Sequence, residues 1–370
     1  MQLFSGNSAA SKRLQSLDFM RGFIMILLAL ESTALYDHLS TATEGNFLHG
    51  LMQQFYHHPW HGLRFWDLIQ PMFMFMAGVA MGYSLHKQKE QGMAWSASFL
   101  KTLKRSGLLF FWGVLDYSVR PTGLSFELWD VLTQLSFTTL VTFFIFQWSN
   151  TAQILFCVGI LLLTEVLYRF INIPGFDQPF TDQHNFGNYM DTVLMNKINK
   201  DGWVALNCIP TSVHTIAGAL TGKLLLSTEK NKLRYMVGAS LICLAVGYGI
   251  DFAGITPIIK HTATSTFTLA SLGWGLAALS LCYWWIDIKG HHKNLDFFTI
   301  VGMNSLFIYL FFEIVGDRWF SNYFRTITDG LMQIIHVPEL LSNIISSFCI
   351  FGVAWGLCYF LYKKKIFLRV

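Results

Sequence analysis

Charge is scarce in this chain. Of its 370 residues, 13% are Asp, Glu, Lys or Arg and 53% are hydrophobic. A soluble domain carries about 25% charged residues, so a soluble multidomain protein is excluded. Proline is also sparse, with eight in all, and no Pro/Gly/Ser-rich stretch marks a linker, so residues 1–370 read as one domain. The six cysteines contain no CxxC pair, which excludes a disulfide framework or a zinc site of familiar spacing. No internal repeat appears, and no low-complexity tract beyond the short Ser/Ala/Asn start.

Apolar length is what the chain has in plenty. Runs of roughly 18–22 residues recur, enough to cross a hydrocarbon core about 30 Å thick. They predict about ten transmembrane helices: 17–36, 65–85, 99–117, 131–148, 152–171, 208–226, 235–252, 264–285, 297–315 and 340–361. Irregular backbone cannot face lipid, so the expected fold is an all-α polytopic membrane bundle. The third run is the weakest, because Lys101, Lys104 and Arg105 occupy its first turns. Lys12 and Arg13 precede the first run as in an export signal, but Asp18, Arg21 and Glu31 interrupt that run, so it is expected to be retained.

Basic residues set the expected orientation. With the N-terminus in the cytoplasm, Lys12, Arg13, Lys87, Lys89, Lys101, Lys104, Arg105, Lys223, Lys230, Lys232, Arg234 and Lys363 to Lys365 share one face. The other face holds fewer, among them Arg64, Arg120, Arg169, Lys260 and Arg325. Both termini are then cytoplasmic, including the segment 1–16. The long stretches 37–64, 172–207 and 316–339 become extracytoplasmic loops, and their aromatic residues suggest ordered caps over an outward cavity. The net charge of +4 follows from this bias and does not indicate nucleic acid.

Ionisable groups inside apolar runs are costly unless paired or wet. Asp18 and Arg21 share one helix face, either as an ion pair or as a contact to a polar ligand. Glu31 lies about 20 Å further along the same helix, with no neighbour in sequence to neutralise it. Glu313 is a weaker site residue. Glu165 and Arg169, four apart, read as a local pair. His214, beside Thr211 and Ser212, reads either as a hydrogen bond to a neighbouring helix or as a site residue.

The densest cluster is His57-His58-Pro59-Trp60-His61-Gly62-Leu63-Arg64-Phe65-Trp66-Asp67. Histidine moves protons near neutral pH, so three imidazoles at a membrane face suggest acid–base or nucleophilic work. A metal site is the rival, although Pro59 disfavours helix at His58 and no third-ligand motif follows. Asp67 reads either as a helix cap or as a substrate contact.

These residues resemble a family. Arg13 to Gly22 (RLQSLDFMRG) is similar to the opening of the transmembrane acetyltransferases related to lysosomal heparan-α-glucosaminide N-acetyltransferase. His57 to Leu63 with Asp67 and Pro71 is similar to its His-x-x-Trp-(Asn/His)-Gly-Leu…Asp…Pro signature. Ile209-Pro210 with Gly218 and Gly222, Pro257 and Lys260 with Thr264-Ser265, and Gly302-Met303-Asn304-Ser305 with Tyr309 resemble its later motifs. The chain departs from the pattern at Glu31, where the family usually has asparagine. It departs again at Leu132-Thr133-Gln134, where an arginine follows Leu-Gln, and at Ala263, which replaces tryptophan.

The resemblance implies acyl transfer from cytosolic acetyl-CoA, as co-substrate, to an extracytoplasmic saccharide or amino-sugar acceptor, with no metal. His57 takes the role of base or nucleophile, with Asn304 as oxyanion donor and Glu31 and Asp67 as orienting or ammonium-binding carboxylates. Acceptor contacts fall on Trp60, His61, Arg64, Lys260 and Ser265. Contacts to acetyl-CoA fall on Asp18, Arg21, Lys101, Lys104, Arg105, Lys223 and His214. The implied setting is the bacterial inner membrane, with the His57 loop facing the periplasm, the lipid bilayer around it and a homodimer suggested. Two other readings stay open: O-acetylation of surface glycans, and secondary transport of a sugar or anion. The absence of an inverted repeat and of broken helices in the sequence pattern argues against transport.

Overall fold

The computed structural model describes residues 14–118 and 125–368. Lys12, Arg13, Arg120 and Arg369, and nearly all of the segment 1–16, lie outside the described residues, so the structure does not bear on their part in the orientation.

Each of the ten apolar stretches is helical. The first divides into α1 (Gln15–Glu31) and α2 (Leu35–Ala42), bent by 68°. The bend turns on Ala34, whose φ of 58 is left-handed, a conformation that costs an L-residue about 1–2 kcal/mol. Glu31 therefore ends a helix and does not sit within one. After α3 (Leu48–Met52), a 3₁₀ turn at Phe65–Leu68 leads into α4 (Ile69–Glu90). Then follow α5 (Trp95–Ser118), α6 (Val131–Ile145) and α7 (Asn150–Phe170). The stretch 172–207 carries α8 (Phe186–Met195) before α9 (Cys208–Leu226) and α10 (Lys232–Phe252). The next helix, α11 (Ser265–Cys282), widens into a π turn at Tyr283–Ile288. A second bend, of 73°, separates α12 (Asp296–Met303) from α13 (Ser305–Phe311). A π turn at Phe312–Phe320, α14 (Ser321–Ile334) and α15 (Glu339–Lys363) complete the order.

Five helices are long and apolar enough to cross a bilayer, and the two bent pairs raise this to seven. The sequence led to an expectation of about ten. The shortfall has local causes: α5 carries Lys101, Lys104 and Arg105, α6 is 15 residues long, and Thr211, Ser212, His214, Thr215 and Lys223 dilute α9. The expectation of no broken helices is also overturned. Both bends occur at residues without a proline signal, Ala34 and Asn304, where the sequence gives no warning.

Small residues let the central helices touch. On α4 and α9, Gly78 and Gly82 face Gly218 and Gly222, a small-xxx-small spacing on each side. A methyl group at Gly78 would overlap the carbonyl oxygen of Thr215, and one at Gly218 would overlap that of Phe75. The same approach joins α1 to α12 through Gly22 and Gly302. Hydroxyls reinforce the contacts: Thr215 Oγ1 lies 3.0 Å from Thr138 Oγ1 between α9 and α6, and Ser240 Oγ donates to Gly273 O at 2.7 Å between α10 and α11. Outward, α7 and α10 expose Leu155, Leu162, Leu241 and Ile242, the faces that a lipid environment would cover. All six cysteines are free thiols.

Candidate active site

Two connecting segments build the site, 53–64 before α4 and 253–264 before α11. They are stitched together by backbone. Gly62 N donates to Ile258 O at 2.9 Å, and His61 pairs with Ile259 in an isolated antiparallel bridge. Gly62 has a φ of +145, and a β-carbon there would strike the His58 ring, so only glycine fits this crossing. His61 Nε2 lies 2.8 Å from Asp251 Oδ1, which also accepts from Ile258 N at 2.9 Å. Glu165 ties the second segment down from α7, accepting from Thr256 Oγ1 at 3.0 Å and from the Ser265 hydroxyl. Arg169 donates to the same Glu165 carboxylate at 2.9 Å and to Ile255 O.

The result is a rigid grip on His57. Asp67 is fully buried and accepts from His58 N at 3.2 Å and Arg64 N at 2.8 Å, while its Oδ1 lies 3.0 Å from His57 Nδ1. From the other side, Lys260 Nζ stands 2.9 Å from the same Nδ1, 3.4 Å from Nε2 and 3.8 Å from Asp67 Oδ1. Lys260 is 4% exposed and lies 5.1 Å from the Trp203 ring centroid. His57 itself keeps 42% of its side chain accessible.

One ring nitrogen cannot serve both neighbours. If Nδ1 carries its hydrogen toward Asp67, the Nε2 lone pair is free and the ring is a base. If Nδ1 accepts from the Lys260 ammonium, the hydrogen moves to Nε2, and the ring stays neutral but offers only a donor to the cavity. Burial lowers the His57 pKa, the Lys260 charge lowers it further, and Asp67 opposes both. Burial also pulls Lys260 down to about 8, against the charges of Asp67 and Glu31. His261, stacked on Trp60 at 5.1 Å and close to Trp203 at 4.5 Å, is held down at about 4 by burial and then by Lys260. A neutral, proton-accepting imidazole beside a cationic lysine is the state expected near neutral pH.

His57, Lys260 and Glu31 line a cavity of about 1020 Å³ with Trp66, Gln70, Trp129, Asp130, Trp203, Tyr309 and Glu313. Trp66 Nε1 donates to Glu31 at 2.9 Å, and Tyr309 Oη donates to Asp130 at 2.8 Å. Glu313 enters from the π turn after α13, a wider turn of the kind found at functional positions.

A second cavity of about 1230 Å³ contains Asp18, Arg21, Arg105, Met303 and Ser305. Arg105 also borders a third cavity with Lys101 and Lys104. Among the described residues, Nε of Arg105 makes no hydrogen bond.

The structure thus brings His57, Asp67, Lys260 and Glu31 together, and separately gathers Asp18, Arg21, Arg105, Lys101 and Lys104. Other expected site residues stand elsewhere. Trp60 Nε1 donates to Phe180 O at 2.7 Å, Arg64 Nη1 donates to His57 O at 3.1 Å, and His61 and Ser265 are engaged as above. All four shape the loops and do not line the His57 cavity. Asn304, expected near the reacting carbonyl, sits at the α12–α13 bend, where its Oδ1 accepts from Leu368 N at 3.3 Å. His214 is fully buried against Ser271 at 2.9 Å and lines neither main cavity. Lys223 donates to Phe146 O and borders another pocket with Lys89. The three imidazoles do not converge, and no group of three metal-ligating side chains gathers among the described residues. Sequence reasoning missed Trp203, His261 and Asp130, which come from distant loops with no local signal.

Comparison with known proteins adds an independent line. One family model, described as a domain of unknown function (DUF5009), matches residues 13–216. Heparan-alpha-glucosaminide N-acetyltransferase of Homo sapiens is 23% identical over 439 aligned positions, covering 98% of this chain and 61% of the human protein. The Mus musculus protein of that name is 22% identical over 435 positions, with the same coverage. The chain therefore spans about 61% of the length of these curated relatives.

Proposed function

Given that this chain belongs to the DUF5009 family and is distantly related to heparan-alpha-glucosaminide N-acetyltransferase, we propose that it is a membrane-embedded acyltransferase. In this reading it moves an acetyl group from acetyl-CoA to an amine, with an amino sugar as the acceptor class. The observation that carries the reading is the His57 ring, fixed between Asp67 and Lys260 and open to a cavity.

The chemistry needs a base, an orienting group and a cation. His57 Nε2 accepts the proton of the acceptor nitrogen as that nitrogen attacks the thioester carbonyl carbon. Asp67 holds the ring and stabilises the imidazolium that forms, as a buried carboxylate does for a catalytic histidine. Lys260, the cation 3.4 Å from Nε2, stabilises the developing oxyanion in place of Asn304. The tetrahedral intermediate then collapses, the C–S bond breaks, and the imidazolium returns its proton to the leaving thiolate. Transfer through an acetyl-imidazole uses the same groups in two steps. Glu31, Asp130 and Glu313 make the cavity wall acidic, which suits an acceptor that arrives as an ammonium.

The inner cavity suits the donor. Arg21 and Arg105, with Lys101 and Lys104 beyond them, offer cations to the phosphates of CoA, and the unpaired Arg105 Nε supports this assignment. We place this basic side in the cytoplasm and the His57 side in the periplasm of a bacterial inner membrane, following the basic residues. Residues 1–370 then act as one domain, with 37–64, 172–207 and 316–339 on the His57 side.

A specific observation favours a second reading, secondary transport. Two broken helices, α1–α2 and α12–α13, pack together between two end-to-end cavities, a feature of transporter sites. One experiment separates the readings. Purified protein in sealed liposomes is given acetyl-CoA and a panel of amino sugars, and products are followed by mass spectrometry. CoA release with N-acetylated sugar supports acyl transfer; accumulation of unmodified sugar inside the vesicles without CoA release supports transport.

A further inference from the structure

The two main cavities lie end to end but do not merge. Among the described residues they share Phe73 of α4, Leu132 of α6 and Leu306 of α13, and no other lining residue. Among the described residues, α1, α4, α5, α6 and α13 each line both chambers, and α4, α6 and α13 carry the residues that the two share. On α4, Ile69 and Gln70 line the outer cavity, Phe73 lines both, and Met76, Ala77 and Ala80 line the inner one, a single i, i+3, i+4 stripe along one helix face. On α6 the order is Val131, Leu132, Leu135, and on α13 it is Tyr309, Leu306, Ser305.

The shared level is entirely apolar. Leu132 is 2% exposed and anchored with Met74, Leu109, Leu135 and Leu310, and Phe73 and Leu306 pack against that cluster. On one side of it lie Arg21, Arg105 and Asp18, on the other His57, Lys260 and Glu31. A hydrophobic constriction between wet chambers excludes water and ions by dewetting. It also rejects thick chains, since a methyl group without a place to go is costly in a packed site.

We infer that Phe73, Leu132 and Leu306 form an apolar constriction between the two chambers, which a thin uncharged chain passes and which water, ions and branched acyl groups do not. Phe73 is the determinant of acyl shape, because its ring is the bulkiest of the three shared groups and small Ala77 and Ala80 follow it. The selectivity part of this inference rests on the acyl-transfer reading; the barrier part does not.

The test uses the full-length protein in sealed liposomes carrying an internal pH dye. Wild-type vesicles should pass protons as slowly as empty ones. Phe73→Ala should raise passive proton flux by about tenfold or more, and Leu306→Ala should do the same, whereas Leu28→Ala, which lines the outer cavity but not the inner one, should stay tight. In parallel, the rate with isobutyryl-CoA relative to acetyl-CoA should rise by about tenfold in Phe73→Ala, the scale of discrimination a pocket makes for one methyl or methylene. If Phe73→Ala and Leu306→Ala, folded by gel filtration and thermal melt, are both as tight and as selective as wild type, the inference is wrong. A leak with unchanged acyl preference removes the selectivity role. Should wild type turn over no acyl-CoA, the flux measurement alone decides for or against the barrier.

Discussion

Lys260 Nζ stands 2.9 Å from Nδ1 of His57, closer than the 3.0 Å that separates that nitrogen from Asp67. The two residues lie 203 positions apart in sequence, and their contact sets the proton balance of the site.

A pH profile follows from that contact. His57 must be neutral to act as a base, and its pKa is lowered, so activity should persist below pH 6.5, the ordinary histidine value, before the acid limb appears. Lys260 must be protonated to stabilise an oxyanion, so activity should fall as pH rises through about 8. In Lys260→Met the cation that depresses His57 is gone. The acid limb should move to higher pH, the alkaline limb near 8 should vanish, and the maximal rate should drop. Initial rates across pH 5 to 10 check all three.

Asp67→Asn keeps the size of the side chain and removes its charge. The imidazolium loses its stabilising partner, so kcat should fall by about 10²–10⁴-fold while KM for acetyl-CoA changes little. Steady-state kinetics on folded protein decide this.

The inner cavity should read out on the donor alone. Arg21→Ala and Arg105→Ala should each raise KM for acetyl-CoA by about tenfold or more, the worth of a hydrogen bond to a charged group. Lys223→Ala should leave it unchanged, because Lys223 is spent on Phe146 O and borders a different pocket.

Helix contact should be unforgiving where glycines meet. Gly218→Leu places a side chain against the Phe75 carbonyl and should prevent assembly of α4 with α9, seen as loss of monodisperse protein in detergent. Gly249→Leu, with open space around its α-carbon, should be tolerated.

The fold class was legible because apolar length and backbone hydrogen bonding leave little choice: each of the ten apolar stretches is helical. The bends were not. Ala34 and Asn304 break helices without a proline, and the first bend is braced by Arg325 and Ser347, which donate to Thr33 O from 292 and 314 residues further along the chain, contacts that no local pattern reveals. In the site, His57 and Asp67 were readable because they are close in sequence and chemically matched. Lys260 was read only as a substrate contact, since its approach to His57 depends on the Gly62–Ile258 stitch between distant loops. Trp60, His61, Arg64 and Ser265 were read as acceptor contacts, and the structure engages them in contacts that fix the loops, because a polar residue that fixes a loop resembles one that binds a ligand. Asn304 was expected at the reacting carbonyl and stands at the α12–α13 bend with its Oδ1 accepting from Leu368 N, since a motif gives neighbours along the chain, not depth in a bundle.

The most direct measurement is the single-turnover rate of acetyl transfer by purified His57→Ala in liposomes, compared with wild type at equal occupancy of acetyl-CoA. A base or nucleophile at His57 predicts a fall of about 10²–10⁴-fold with unchanged thermal stability. Transfer at the wild-type rate by folded His57→Ala would contradict it.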